Sequence, residues 1–222
     1  MSGWRKRYCE NQVMRNVYVV THPEATHHVE DRVGGWFDSE LTSRGLAHAK
    51  TIADALARRV TKPSAVVLYT SDLRRTTQTA KSIAERLEVP AVLMSGLREK
   101  SYGEGEGMPD AWFRERFVPP PPNGERMDHH GGLAGAETQA EWVRRIYRAM
   151  DQIAGDDASE KVLVTHGGSA TFVIAHWIGM PIDALEYVRF KVAPGSITHL
   201  REDDYFHNRS VESLNETSHL AL

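Results

Sequence analysis

Two β-branched runs in this 222-residue chain break off in the same way: VYVVTHP at 17–23 and KVLVTHGG at 161–168. Short apolar runs bounded by Pro or Gly read as strands buried on both faces, as in a parallel sheet covered by helices. In an open sheet of that kind, ligands bind beyond the carboxyl ends of the strands. His22 and His166 are therefore both carried to the ligand-binding edge. Two imidazoles so placed can face one pocket; periodicity alone equally allows two unrelated strand-end histidines.

The rest of the chain supports such a sheet. Residues 42–60 carry Leu46, Ala49, Ile52, Ala53 and Leu56 at helical spacing, with Thr42 or Ser43 as cap. A second buried strand at 65–69, a helix at 74–87 and a third short strand after Pro90 follow. From 98 to 136 the pattern dissolves into Gly, Pro and charge, with four prolines at 119–122 and only 110–117 helical in character. A structureless segment of that length inside a compact domain is expected to act as a lid or binding loop. Regular structure resumes with a helix over 137–153, a strand over 161–165 and a helix from Ser169, and the tail holds strand-like runs at 187–192, 196–201 and 210–214. This rhythm predicts a single α/β domain over 1–222, a three-layer α/β/α arrangement with a mostly parallel central sheet.

Charge and cysteine content narrow the partners. Lys and Arg number 27 against 30 Asp and Glu, and the pI is near 6.4. No global field draws nucleic acid or an anionic membrane, so any anion must be met locally. The single Cys9 excludes an internal disulfide framework and a thiolate-rich metal site. The basic N-terminal stretch has no apolar run behind it of the kind a secretory signal needs, so a cytoplasmic location is expected. A homodimer is the expected form of any oligomer, as the commonest closed assembly.

Other strand ends add chemistry to the two histidines. The second strand runs into Ser71, Asp72, Arg74 and Arg75, and a fourth strand end supplies Arg98 and Glu99. An Arg there binds a pair of phosphate oxygens bidentately, and the helix that follows begins with free N–H groups suited to anions. His, Arg, Glu and His on separate strand ends describe a phosphoryl-transfer pocket better than a hydride- or acyl-transfer one, and no G-x-S-x-G nucleophile elbow occurs. The YGEGEG run at 102–107 neither follows a strand nor opens a helix, as a dinucleotide loop must.

The segments T21-H-P-E-A-T, V33-G-G-W-F-D, L41-T-S-R-G, S71-D-L-R-R-T-T-Q-T-A, L97-R-E-K-S-Y-G-E-G-E-G and V164-T-H-G-G stand in this order along nearly the whole chain. In these the sequence resembles the histidine phosphatase superfamily, also called phosphoglycerate mutase-like. The resemblance implies a phosphomonoester hydrolase acting through a phosphohistidine on His22. It implies Glu99 as proton donor to the leaving alcohol, and Arg75 and His166 as the groups that hold the phosphoryl, where Arg75 and a protonated His166 could supply the fixed positive donors that the transition state needs. No cofactor is implied, because water attacks the phosphohistidine in the second step. A small phosphorylated molecule is the expected substrate.

The first motif departs from the family at three places: Thr21 replaces Arg, Pro23 replaces Gly, and His28 replaces Asn. His28 is expected to donate to phosphate in part compensation, with Thr21 and Gly167 as further phosphate contacts. Arg32, Arg74, Arg98 and His27 lie in segments that reach the same region, Arg74 and Arg98 reading as structural. Two other outcomes are a family member without turnover that binds phospho-ligands, and a phosphomutase. A metal site from the His pairs at 27–28 and 129–130 with Glu30, Asp31 and Asp128 is a weaker reading, since adjacent histidines diverge. In the 98–136 segment, Trp112, Phe113 and Phe117 read as packing, with Arg114, Arg116 and Arg126 able to meet substrate anions. Glu137 and Thr138 read as a helix cap or a substrate contact.

Overall fold

The computed structural model describes residues 14–221; Cys9 and most of the basic N-terminal stretch lie outside them. The chain begins with β1 (Arg15–Thr21) and a four-residue turn of helix, α1 (Thr26–Val29). Then come α2 (Ser43–Arg59), β2 (Val66–Thr70), α3 (Arg74–Leu87) and β3 (Ala91–Leu93). Past the irregular segment, which contains α4 (Asp110–Arg116), follow α5 (Gln139–Ala154), β4 (Glu160–Thr165), α6 (Ser169–Trp177), β5 (Ile197–Glu202) and β6 (Arg209–Glu216).

Among the described residues the strands form one six-stranded sheet in the order β3-β2-β4-β1-β5-β6. The first four run parallel, and β5 and β6 add to the β1 side antiparallel. The expected α/β class with a mostly parallel sheet is borne out. Alternation along each strand splits the core in two. Val17, Val19 and Leu163 pack with Val143, Ile146 and Phe172 of α5 and α6. Tyr18, Val20, Val162 and Val164 pack with Ile52, Leu56 and Ile83 of α2 and α3.

The helices start where their caps dictate. Thr42 Oγ1 accepts the Gly45 N–H at 3.0 Å. Ahead of α5, Thr138 and Glu141 form a reciprocal box, with Glu141 N–H donating to Thr138 Oγ1 at 3.1 Å and Thr138 N–H to Glu141 Oε2 at 2.8 Å. Of the two readings for Thr138, it is the cap that the structure shows.

Residues 187–192 correct the sequence reading, for they form no strand. Their alternation is real: Val188, Phe190 and Val192 pack on the core while Tyr187, Arg189 and Lys191 stay exposed. β1 is paired on both sides, by β4 and β5, and this segment joins neither outer strand of the sheet. Phe190 instead bonds through both its N–H and its carbonyl to Thr171 Oγ1, each at 3.3 Å. Among the described residues no helix is long and apolar enough to cross a membrane.

Candidate active site

β1 and β4 lie side by side with Thr21 opposite Thr165, so the residues that follow them leave the sheet together. His22 N–H donates to the Thr165 carbonyl at 3.1 Å, and the His22 and His166 rings are 5.2 Å apart between centroids. Both line a cavity of about 260 Å³ with Thr21, His27, His28, Arg75, Glu99 and Gly167. The structure thus brings every expected site residue to one cavity wall.

His22 is 6% exposed. Its Nδ1 sits 2.8 Å from the Pro23 carbonyl, a group that only accepts, so Nδ1 carries the hydrogen and Nε2 keeps its lone pair. Arg75 Nε–H donates to that Nε2 at 3.2 Å. Burial, and then the Arg75 charge, hold the imidazole well below its ordinary pKa, so it is neutral at pH 7. Pro23 lacks an N–H, but the contact that fixes the ring uses its carbonyl.

Arg75, in the first turn of α3, is 1% exposed. Nη1 donates to the Phe37 carbonyl at 2.7 Å and Nη2 to the Gly35 carbonyl at 2.6 Å, so the Gly-Gly-Trp-Phe loop orients the guanidinium. Burial lowers its pKa to about 10, which leaves it charged at pH 7. Each Nη retains a second N–H for another acceptor.

His166 is also 1% exposed. Its Nε2 lies 2.9 Å from Ser71 Oγ, which in turn receives a long bond of 3.5 Å from the Leu73 N–H. The hydroxyl hydrogen has no other acceptor among the described residues, so it goes to Nε2 and the ring hydrogen sits on Nδ1. That Nδ1 is buried without a protein partner. Burial first, then Arg75 and His22, push the pKa well below the ordinary value. The ring so held presents Nδ1–H to the cavity as a donor.

His28 stacks on His22, with centroids 5.6 Å apart and planes 14° apart. The Ala25 N–H donates to its Nδ1 at 3.1 Å, so its hydrogen sits on Nε2. Desolvation of the ring and the Arg75 charge lower its pKa. Behind it, His27 Nδ1 lies 2.7 Å from Ser39 Oγ, and burial followed by the His28 charge lowers His27 to about 3. A Cβ on Gly34 would fall 2.8 Å from His27 Nε2, which explains the glycine there.

Glu99 is presented by the turn after β3. Its Oε1 accepts from Lys100 N–H at 3.0 Å and Ser169 N–H at 3.1 Å, the Ser169 hydroxyl donating instead to the Arg98 carbonyl at 2.7 Å, whereas Oε2 accepts from Gly168 N–H at 2.8 Å. A Cβ on Gly168 would fall 2.5 Å from Glu99 Oε1 and 2.6 Å from the Trp142 ring. Gly168 is therefore the glycine on which the geometry depends, while a Cβ on Gly167 would meet nothing within 4 Å.

Thr21 departs from its expected role as a phosphate contact. Its one hydroxyl hydrogen goes to the Ala193 carbonyl at 2.6 Å, and its oxygen accepts the Ser196 N–H at 3.1 Å. It ties β1 to the approach of β5 and has no hydrogen left for a ligand. Arg98 and Arg74 are structural, as expected: Arg98 grips Asp72 through two bonds of 2.7 and 2.6 Å, and Arg74 pairs with Glu40. Arg32 is taken up by Glu30 and the Gly107 carbonyl.

Sequence reasoning missed Arg145. This α5 side chain makes two bonds of 2.8 Å to the Glu137 carboxylate and donates to the carbonyls of Gly96, Arg98 and Glu99. Trp36 Nε1–H reaches the same Glu99 carbonyl at 2.8 Å. Glu137 lies ahead of the helix that carries Arg145, so no helical spacing signals the pair. Of the 98–136 segment, Glu99 and Tyr102 reach the cavity. Phe113 stacks on Phe117 and meets Tyr102 edge-on, and Arg116 lies over Trp112, so these aromatics pack the segment onto itself, where the sequence reading has them pack it onto the domain. Among the described residues no three His, Cys, Asp or Glu stand together as a metal-holding group.

The family model of the histidine phosphatase superfamily (branch 1) matches residues 17–217, and the chain belongs to that superfamily. A curated relative, a probable phosphoglycerate mutase GpmB of Yersinia pestis (strain Pestoides F), is 30% identical over 217 residues, 94% of this chain and 96% of that one. Solved structures of the same fold include a putative alpha-ribazole-5'-P phosphatase from Escherichia coli, with TM-score 0.73, 20% identity and 91% and 96% of the two chains covered. A mycobacterial glucosyl-3-phosphoglycerate phosphatase gives TM-score 0.71 at 22% identity, covering 92% of this chain and 100% of that one.

Proposed function

We propose that this chain hydrolyses small phosphomonoesters through a phosphohistidine on His22. The observation that carries the reading is the His22 tautomer: Nδ1–H is fixed on the Pro23 carbonyl, and a neutral Nε2 lone pair stands 3.2 Å from the Arg75 guanidinium. The Arg75 Nε–H that caps this lone pair must turn to a phosphoryl oxygen as substrate enters, which frees Nε2 for attack beside fixed donors, the arrangement that phosphoryl transfer requires. In the first half-reaction Nε2 attacks phosphorus, the P–O bond to the alcohol breaks, and Glu99 gives the leaving oxygen its proton. Oε2, with a single backbone donor, is the oxygen free to carry that proton. In the second, water attacks phosphorus, Glu99 takes its proton, and the P–N electron pair returns to Nε2. The remaining N–H groups of Arg75, Nδ1–H of His166 and Nε2–H of His28 hold the equatorial oxygens. The His28 Nε2–H supplies, as a neutral donor, part of the hydrogen bonding lost where the first motif has Thr21.

The name of the curated relative supports a second reading, transfer of the phosphoryl to another hydroxyl. Both share the first half-reaction and differ in the acceptor. Brief incubation with a ³²P-labelled phosphomonoester and alkaline trapping is expected to leave acid-labile label on wild type and none on His22→Ala, with inorganic phosphate as the product. Phosphate release without label overturns the covalent route, and label that ends on a second alcohol selects the mutase. His28→Ala should lower kcat/KM by about ten-fold or more with its melting temperature kept, the size of a lost hydrogen bond to a charged group; unchanged kinetics would sink its role.

A further inference from the structure

Beside the cavity that holds His22 lies a second one of about 220 Å³, and Arg189 stands in the wall of both. Arg126, Gln139, Trp142, Glu186 and Tyr187 also line this second chamber. Arg126 is half-buried and Arg189 exposed, and a partly buried guanidinium is ordinarily offset by a carboxylate partner. Here that offset is missing. Among the described residues neither Arg126 nor Arg189 forms an ion pair, although Glu186 stands in the same wall, and Arg126 Nε is buried without a hydrogen-bond partner.

The chamber is otherwise settled. Arg126 lies over the Tyr187 ring at 4.5 Å, and Tyr187 is anchored by its hydroxyl donating to the Gly124 carbonyl at 2.8 Å. Gln139 Nε2 is spent on the Leu185 carbonyl at 2.8 Å and Trp142 Nε1 on Ser169 Oγ at 3.0 Å. The donors left facing the chamber are the two guanidinium groups. Of the three arginines in the 98–136 segment that the sequence marked for substrate anions, Arg126 faces the chamber, while Arg114 pairs with Asp110 and Arg116 with Glu115.

We infer that this second chamber receives the non-reacting half of the substrate, and that Arg126 and Arg189 bind an anionic group carried there, a carboxylate or a second phosphate. The inference rests on the phosphatase reading of the first cavity and names its substrate class: phosphomonoesters whose alcohol bears a further negative charge. A guanidinium matches the planar oxygen pair of either anion, and Arg189, at the junction, is placed to admit the ester in one orientation.

The test compares phenyl phosphate with its 4-carboxy and 4-phosphonomethyl derivatives on wild type, Arg126→Gln and Arg189→Gln. The readout is the ratio of kcat/KM for each charged ester to that for phenyl phosphate, which cancels any general loss of activity, and circular dichroism verifies that each variant folds. Wild type is expected to favour at least one charged ester by about ten-fold or more, and each variant to bring that ratio close to one. The larger of the two charged ratios tells carboxylate from phosphate. Direct binding of benzylphosphonate and 4-carboxybenzylphosphonate, followed by calorimetry, separates this inference from the parent reading. Turnover of phenyl phosphate with ratios near one in wild type, or unchanged in both variants, overturns the inference and leaves the phosphatase standing. Absence of turnover with arginine-dependent preference for the carboxylated phosphonate overturns the phosphatase and leaves the anion site. Absence of both turnover and binding overturns the two together.

Discussion

Ser71→Ala removes a single oxygen atom from the floor of the site. Ser71 is fully buried, and its hydroxyl fixes the His166 ring by donating to Nε2 at 2.9 Å. Without it, Nε2 and the Leu73 N–H lose a partner in the protein interior, which costs about 1–3 kcal/mol of stability. At roughly 2–4 °C per kcal/mol for a chain of this size, the melting temperature should fall by a few degrees and the fold should survive. The catalytic effect is separate. The ring hydrogen is no longer confined to Nδ1, and the hydrogen bond from Nδ1 to a phosphoryl oxygen, worth about 1.5–3 kcal/mol to a charged acceptor, is weakened or lost. With 1.36 kcal/mol per factor of ten, kcat/KM should drop by about ten- to a hundred-fold. Steady-state hydrolysis of a phosphomonoester measures the rate, and ¹⁵N-histidine spectra report which nitrogen carries the hydrogen. Rates within three-fold of wild type, or a His166 tautomer that does not respond to the substitution, would refute the assignment of Ser71 as the group that sets this ring.

Two further outcomes follow from burial. His22, His27 and His166 all have folded pKa values below that of a free imidazole, His27 at about 3. The unfolded chain therefore binds more protons than the folded one below pH 6.5, and stability falls as the pH drops. Each ring contributes about 1.4 kcal/mol per pH unit once its unfolded form is charged, and carboxylates enter only near pH 4. Urea unfolding in phosphate-free buffer should show a clear loss between pH 6.5 and 5, with a slope reduced by about one proton in His27→Gln; a flat profile over that window would contradict the burial of these rings. Gly168→Ala places a methyl group against both Glu99 Oε1 and the Trp142 ring, so about 1–3 kcal/mol of stability and about a hundred-fold of kcat should go together. Gly167→Ala, whose Cβ meets nothing, should keep the wild-type melting temperature, and equal destabilisation of the two would show that the clash at Gly168 does not govern.

Much of this fold was legible because strands report their own ends. The β-branched runs that stop at His22 and His166 are neighbours in the sheet, and the stop marks the edge where both rings emerge. Helix α3 begins and ends where its periodicity places it, and Arg75 enters the cavity from its first turn. What stayed hidden depends on partners remote in sequence. Residues 187–192 alternate as a strand does, yet they join neither outer strand of the sheet. Thr21 reads as a residue beside the nucleophile; that its hydroxyl is consumed by Ala193 follows from a contact 172 residues away. Arg145 and Ser39 hold Glu99 and His27 in place without belonging to any motif, because their task is set by where the backbone brings them. The lowered pKa of His166 stayed hidden for a similar reason: the water-excluding surroundings of a ring do not appear in a linear string.

The contacts at position 21 bear on how such a protein can change what it accepts. Residues 193–196 are stitched to the nucleophile strand by Thr21 Oγ1 to the Ala193 carbonyl, Thr21 N–H to the Ser196 carbonyl and Gly195 N–H to the His22 carbonyl. Just before this seam, the 186–192 stretch exposes Tyr187 and Arg189 while Val188, Phe190 and Val192 pack on the core. The seam fixes the backbone that follows this stretch, while Arg189 and Val192 within it still line the cavity beside His22. A combinatorial library confined to Glu186, Tyr187 and Arg189, with the core-packed residues and 193–196 kept as a fixed splice, would show how far this stretch sets substrate range.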